Sequence, residues 1–207
     1  MGNNPKVWFT SDPHYGHSNV LGFCKRPFKD IDEMNEELIR RYNSKVGKND
    51  IVYWLGDCFF CNAPVAKDIM SRLNGVKICI LGNHDRGTVG MIGLGFTAVL
   101  RSAKIEIGGK VCLLSHYPWE PSFIHTIRLM IKKIKIRYVD RAPQKAVLDR
   151  LWCLHGHTHS KKKMDRERKL IHVGVDAHNF YPVSMSEIES MMKRKEIHDK
   201  KHEGATK

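Results

Sequence analysis

The sequence has no hydrophobic run approaching the ~20 residues that a helix needs to cross a bilayer. Its first residues, from Met1 to Lys6, are polar and lead directly into a strand-like segment, which is unlike a secretory signal. Lys6 also stands where the N-myristoylation pattern requires Ser or Thr. We therefore expect a cytoplasmic protein without a transmembrane segment.

A second pair of closely spaced cysteines is also absent. Cys58 and Cys61 form a C-x-x-C pair, but no further pair follows at the spacing of a zinc site. The six cysteines are scattered, and several lie within apolar segments. We expect them to be reduced and mostly buried.

Charge is the most informative bulk property. The 207 residues suit a single domain with a sizeable core, and they include 35 Lys and Arg against 22 Asp and Glu. The formal net charge of +13 favours binding to polyanions such as nucleic acid, nucleotides or an anionic membrane.

Strand-like and helical segments alternate in the first part of the chain. Strands are predicted at residues 7–10, 51–55 and 76–81, with amphipathic helices at 32–46 and 64–73 between them. This alternation indicates parallel strands. Short strands are then predicted at 97–100, 104–107, 111–114, 151–154 and 170–175, and they imply a second sheet.

The predicted fold class is α/β, an α+β sandwich in which two mixed β-sheets pack together with flanking helices. Residues 1–185 are expected to form a single domain with a basic helical insertion at about 119–150. Residues 186–207 are expected to form a C-terminal helix and a frayed tail.

Polar clusters follow the apolar segments at the points where strands are predicted to end. The loops beyond the carboxyl ends of parallel strands converge on one crevice, so these side chains should lie close together. Their carboxylate, imidazole and carboxamide donors suit a pair of divalent ions such as Mn, Fe, Zn or Ni. The five clusters are Asp12-Pro13-His14, Gly56-Asp57, Gly82-Asn83-His84-Asp85, His116 and Gly156-His157-Thr158-His159.

This ordered series, D-x-H, G-D, G-N-H-D, H and G-H-x-H, resembles the calcineurin-like metallophosphoesterase superfamily from Asp12 to His159. The resemblance implies a β-sandwich with flanking helices and two divalent ions, with manganese as the expected metal. The first ion would be held by Asp12, His14, Asp57 and His159. The second would be held by Asp57, Asn83, His116 and His157, so that Asp57 bridges the two.

The resemblance also implies a catalytic histidine. His84 would protonate the leaving oxygen, and Asp85 would orient its imidazole. A hydroxide bridging two metal ions would attack phosphorus, and the metals would neutralise charge on the phosphoryl oxygens. His17 and Arg86 are candidate substrate contacts.

The expected function is that of a dinuclear-metal-dependent phosphoesterase. The positive charge favours a phosphodiester of a nucleotide or nucleic acid as the substrate. A phosphomonoesterase or a pyrophosphate hydrolase would use the same site. A catalytically inactive scaffold and a nucleic-acid-binding module are the alternatives from other classes, and the oligomeric state is left open.

The basic segment at residues 123–141 permits more than one interpretation. It is an amphipathic helix with a solvated basic face, a platform that guides an anionic substrate, or a helix lying on a membrane surface.

Overall fold

The computed structural model of the chain describes residues 4–118, 151–165 and 167–193. The basic segment predicted at 119–150 and the tail beyond residue 193 lie outside the described residues. Within the described ranges, no helix is long and apolar enough to span a membrane.

The described strands, in chain order, are β1 (Val7–Thr10), β2 (Ile51–Trp54), β3 (Val76–Ile80), β4 (Ala98–Leu100), β5 (Ala103–Ile107), β6 (Lys110–Leu114), β7 (Trp152–His155), β8 (Met164–Asp165), β9 (Leu170–His172) and β10 (Val183–Ser184). They form two five-stranded sheets with the orders β10-β1-β2-β3-β4 and β5-β6-β7-β9-β8. In the first sheet β1 to β4 are parallel and β10 is antiparallel to β1. In the second, β6, β7 and β9 are parallel and the two edge strands are antiparallel. The predicted two-sheet sandwich is confirmed.

The described helices are α1 (Asn19–Phe23), α2 (Ile31–Asn43), α3 (Ala63–Arg72) and α4 (Gly87–Gly93), and residues 185–193 are also helical. The side chain of Asp30 accepts a hydrogen bond from the backbone N–H of Glu33, which satisfies one of the free donors at the start of α2. Asn62 caps α3 in the same way, and Pro64 lies in the first turn, where its missing N–H costs nothing.

Alternate residues of the first sheet enter two different cores. Trp8, Val52 and Trp54 pack towards the helices, together with the buried face of α2. Phe9 and Leu55, one residue further along each strand, pack against the second sheet. Because both faces are covered, these strands appear in the sequence as continuous apolar runs.

The structure corrects one predicted strand and adds two short helices. The strand predicted at 170–175 ends at His172 and is followed by a short 3-10 turn at Val175–Ala177. The short helices α1 and α4 were not predicted. Their sequences, NVLGF and GTVGMIG, contain glycine, which disfavours a helix, and they are too short to show a helical period.

Candidate metal centre

Five loops at the carboxyl ends of strands meet at one side of the sandwich. Backbone hydrogen bonds join them: the N–H of Asp12 donates to the carbonyl of Gly56 at 3.1 Å, and the N–H of Gly156 donates to the carbonyl of His116 at 3.0 Å. The first bond links the loops that follow β1 and β2, and the second links those that follow β6 and β7. Parallel strands place all these loops at the same edge, as the sequence predicts.

The convergence produces two groups of side chains that could each hold a metal ion. Each group offers three ligand atoms that lie within 4.8 Å of one another. The groups consist of Asp12, His14 and His159, and of Asp57, His116 and His157.

Asp57 lies between the two groups. Its Oδ2 atom is 3.8 Å from Nε2 of His14 and 3.5 Å from Nε2 of His116. Its Oδ1 atom accepts a hydrogen bond of 2.9 Å from the backbone N–H of His84, which fixes the carboxylate plane. One oxygen of Asp57 therefore faces a histidine of each group.

The hydrogen bonds of His116 leave one ring nitrogen suited to a cation. Nδ1 lies 2.7 Å from the carbonyl oxygen of Leu55, so in the neutral ring it carries the proton. Nε2 then presents a lone pair 3.0 Å from Oδ1 of Asn83, which is itself an acceptor. A cation shared by Nε2 of His116 and Oδ1 of Asn83 would satisfy both atoms.

His14 also has a ring nitrogen that is suited to bind a cation. Its Nε2 atom is buried and has no hydrogen-bond partner in the part of the chain that the structure describes. A buried nitrogen without a partner costs free energy unless something else binds it. Carboxylate oxygens and imidazole nitrogens in such groups fit divalent ions.

The backbone at the ligand positions is strained. Five residues of the two groups have positive φ angles between 49° and 67°, although none is glycine. Such angles are uncommon outside glycine and concentrate at functional sites, where the surrounding structure maintains them. The five are Asp12, His14, Asp57, His157 and His159.

Gly156 is required by a close approach between loops. A Cβ atom added there would collide with Oγ of Ser11 and with the carboxylate of Asp12. The adjacent N–H, that of His157, donates to both carboxylate oxygens of Asp12 at 3.1 and 2.9 Å. Gly156 thus lets the His157 loop lie directly on the carboxylate of Asp12.

The histidines of the two groups differ in their protonation state. Burial lowers the pKa of His14 to about 2 and that of His157 to about 3, with nearby histidines adding to the effect. Burial also disfavours the charged form of His159, but hydrogen bonds to Asp176 and Cys24 outweigh it and raise the pKa to about 10. His14 and His157 are therefore neutral and ready to bind a metal at physiological pH, whereas His159 must lose a proton.

Asp176 and Arg26 support the first group and were not predicted from the sequence. Asp176 Oδ2 accepts a hydrogen bond of 2.9 Å from Nδ1 of His159, leaving Nε2 of that ring for a ligand role. Arg26 donates to both oxygens of Asp176 and also to the backbone carbonyls of Asp12 and Pro13. Neither residue belongs to a recognisable motif, so only the fold reveals them.

The role predicted for Asp85 needs correction. Its carboxylate accepts hydrogen bonds from the backbone N–H groups of Asp57, Cys58 and Gly82, at 3.0, 3.0 and 2.7 Å. Asp85 therefore fastens the Asp57 loop to the turn after β3, instead of orienting the imidazole of His84. The side chain of His84 is exposed, and its ring centroid lies 6.3 Å from that of His14.

The two predicted substrate contacts differ in their surroundings. Nδ1 of His17 is 3.1 Å from Nδ1 of His14, and the ring is half-buried. Arg86 is exposed, and its guanidinium donates to the backbone carbonyl of Cys61.

None of the cysteines belongs to the two metal-binding groups described above. All six are free thiols, and four of them are buried. Two further groups contain cysteine, namely Cys58–Cys79–Asp85 and Cys24–His159–Asp176. Their carboxylates already accept hydrogen bonds from backbone N–H groups or from Arg26.

Comparison with known proteins gives a consistent result. A family model described as calcineurin-like phosphoesterase matches residues 5–201. An uncharacterized protein of Methanocaldococcus jannaschii is 30% identical over 199 residues, covering 93% of this chain and 94% of that protein. The Gene 66 protein of Mycobacterium phage L5 is 32% identical over 192 residues, covering 83% and 86%. A crystal structure of a protein of unknown function from Aquifex aeolicus aligns with a TM-score of 0.66 at 26% identity, over 91% of this chain and all of that one.

Proposed function

This chain belongs to the calcineurin-like phosphoesterase family, and from that premise we propose that it hydrolyses a phosphodiester of a nucleotide or nucleic acid with two divalent metal ions. The family assignment and the two groups of ligands support a metal-dependent phosphoesterase. The dinuclear mechanism, the diester and the choice of metal are the proposed part.

The position of Asp57 is the observation that carries the dinuclear proposal. A single carboxylate oxygen lies 3.8 Å from a histidine nitrogen of one group and 3.5 Å from a histidine nitrogen of the other. Two independent mononuclear sites would not require one carboxylate oxygen to lie between them, whereas a dinuclear site does. We assign Asp12, His14, Asp57 and His159 to one ion, and Asp57, Asn83, His116 and His157 to the other.

The two groups would hold divalent ions, which would supply a water nucleophile of lowered pKa and neutralise charge on the phosphoryl oxygens. The side chains of the protein orient the ligands and deliver a proton. Asp12 and Asp57 supply carboxylate ligands whose orientation is fixed by the backbone N–H groups of His157 and His84. His84 presents its exposed imidazole at the edge of the site, where it delivers a proton to the leaving oxygen.

Charge supports the choice of substrate. A chain with a net charge of +13 attracts nucleotides and nucleic acids more strongly than neutral phosphate esters. Oxygen and nitrogen ligands without cysteine suit manganese, which is the proposed metal, with iron, zinc and nickel as alternatives. The cytoplasmic location stays a prediction.

The test is hydrolysis of bis-p-nitrophenyl phosphate and of p-nitrophenyl phosphate by metal-stripped protein, with and without added Mn. The proposal expects Mn-dependent cleavage that is faster for the diester. Faster cleavage of the monoester would assign a phosphomonoesterase instead, and no cleavage with any divalent ion would favour an inactive scaffold.

Two variants separate the roles. Asp57→Asn should abolish activity and lower the number of bound ions per chain, because it removes the shared ligand. His84→Ala should retain both ions while kcat falls about 10²–10⁴-fold, the usual contribution of a general acid. Loss of metal in His84→Ala would contradict its assignment as a proton donor.

A further inference from the structure

Phe60 lies against the histidines of the candidate centre but has no polar atom with which to bind a metal or move a proton. Its ring is stacked on His14 at 4.5 Å between centroids and 13° between planes, and on His17 at 4.2 Å and 7°. The ring of His84 is 4.9 Å away at 49°. Phe60 therefore contacts a proposed ligand, a candidate substrate contact and the proposed proton donor.

The backbone places this ring at the site and not in the core. Its N–H donates to the carbonyl of Tyr15 at 2.8 Å, within a short parallel bridge between Tyr15 and Phe59. Phe59 is 4% exposed and packs into the hydrophobic core. Phe60, the next residue along an extended segment, faces the opposite way and is only half-buried.

A second aromatic ring continues the surface outwards. Phe23, in α1, is 76% exposed, and its ring meets that of His17 edge-on at 6.2 Å. Leaving a phenyl ring in water forgoes most of the free energy that its burial would supply. We call Phe60, His17 and Phe23 the aromatic wall.

We propose that the aromatic wall stacks the nucleobase of the substrate, next to the metal-binding groups. This inference rests on the proposed function only in placing the substrate phosphate at those groups. The centroids of His14 and His17 are only 5.3 Å apart, so both imidazoles stack on the same face of Phe60. The base stacks on the opposite face of Phe60, and flat aromatic rings bind bases of any sequence because every base presents a π-face. The Arg86 guanidinium bonds the carbonyl of Cys61, the residue after Phe60, and so puts a positive charge beside the wall for a polyanionic ligand.

The test compares a nucleotide with the corresponding sugar phosphate, which lacks the base. AMP and ribose 5-phosphate are titrated into Mn-loaded protein by calorimetry, a binding measurement that does not require turnover. The wall predicts that AMP binds at least about fivefold more tightly, the lower end of what stacking on one aromatic ring contributes. Equal affinity for the two ligands, or no binding of either, would overturn the inference.

Variants of the aromatic wall show whether it causes the difference in affinity between AMP and ribose 5-phosphate. Phe60→Leu should reduce the AMP preference to within about twofold, whereas Phe60→Trp should retain it, because only the second keeps a stacking face. Phe23→Ser should reduce it partly. Val89→Ser is the matched control for Phe23→Ser, since Val89 is also a highly exposed apolar residue, at 86%, and lies in α4 outside the wall.

The alternative is that Phe60 only holds His14 in place. Phe60→Leu would then weaken both ligands by the same factor and leave the ratio unchanged, which overturns the inference. Failure of the proposed function is distinguishable, because a protein that cleaves no phosphoester can still bind AMP more tightly than ribose 5-phosphate.

Discussion

Arg26 and Asp176 form a two-point salt bridge behind the candidate centre, although 150 positions separate them in the sequence. Nε of Arg26 lies 2.9 Å from Oδ1 of Asp176, and Nη2 lies 2.8 Å from Oδ2. Both side chains are almost completely buried. The same guanidinium bonds the carbonyls of Asp12 and Pro13, so one cation joins the loop after β1 to the chain that follows β9.

Replacing Arg26 should therefore destabilise the fold. Arg26→Met removes the guanidinium that binds both oxygens of the buried Asp176 carboxylate and leaves it His159 as its remaining partner. Removing one member of a buried ion pair typically costs about 3–5 kcal/mol. Urea unfolding of the metal-free protein measures the loss. Arg40→Met removes an exposed arginine paired with Glu37 and is the matched control, expected to change stability by less than about 1 kcal/mol. Equal effects in the two variants would contradict the structural role of Arg26.

Metal binding should release a proton from His159. The folded chain holds this ring with a pKa of about 10, so it is protonated at neutral pH and must lose the proton to bind a metal. His14 and His157, with pKa values of about 2 and 3, have none to lose. Affinity should consequently rise with pH from 7 towards 10.

Calorimetry of Mn binding in two buffers of different ionisation enthalpy counts the protons. We expect about one proton from His159 near neutral pH, and a smaller release in Asp176→Asn, which loses the carboxylate that stabilises the charged ring. Release that is unchanged in Asp176→Asn would show that the proton comes from another group.

Gly156 should tolerate no side chain. Gly156→Ala directs a methyl group into Ser11 and Asp12, and we expect it to cost about 1–3 kcal/mol and to weaken metal binding. Gly22→Ala is the control, because an added Cβ there meets nothing within 4 Å and alanine favours the helix. Thermal unfolding with and without Mn compares the two variants.

His172 should make the metal-free protein sensitive to acid. It is 2% exposed, neither ring nitrogen has a hydrogen-bond partner among the described residues, and burial lowers its pKa to about 3. Below about pH 6.5 the unfolded chain binds a proton at this ring and the folded chain does not, so stability falls as the pH falls. Between pH 7 and pH 5 the loss from this one group is about 2 kcal/mol.

His172→Leu removes that contribution. The difference in unfolding free energy between pH 7 and pH 5 should be smaller by about 2 kcal/mol in the variant than in the wild type. An identical difference in both proteins would mean that His172 titrates normally in the folded chain.

The sequence was sufficient for the fold class and for the set of residues that meet at the centre, because both follow from local patterns. Asp12, Asp57 and His116 each end an apolar strand, and parallel strands deliver their ends to one edge. Arg26 and Asp176 could not be predicted, since their pairing depends on how distant segments pack. The role of Asp85 was wrong because it depends on the path of one turn, which directs the carboxylate to backbone N–H groups instead of to His84.

Two metal ions should share the carboxylate of Asp57. The most direct test is anomalous diffraction from crystals of the Mn-loaded protein. We expect two peaks ~3.5–4 Å apart, the spacing of two-metal hydrolases, with Asp57 in contact with both. A single peak, or two peaks of which only one is bound by Asp57, would contradict it.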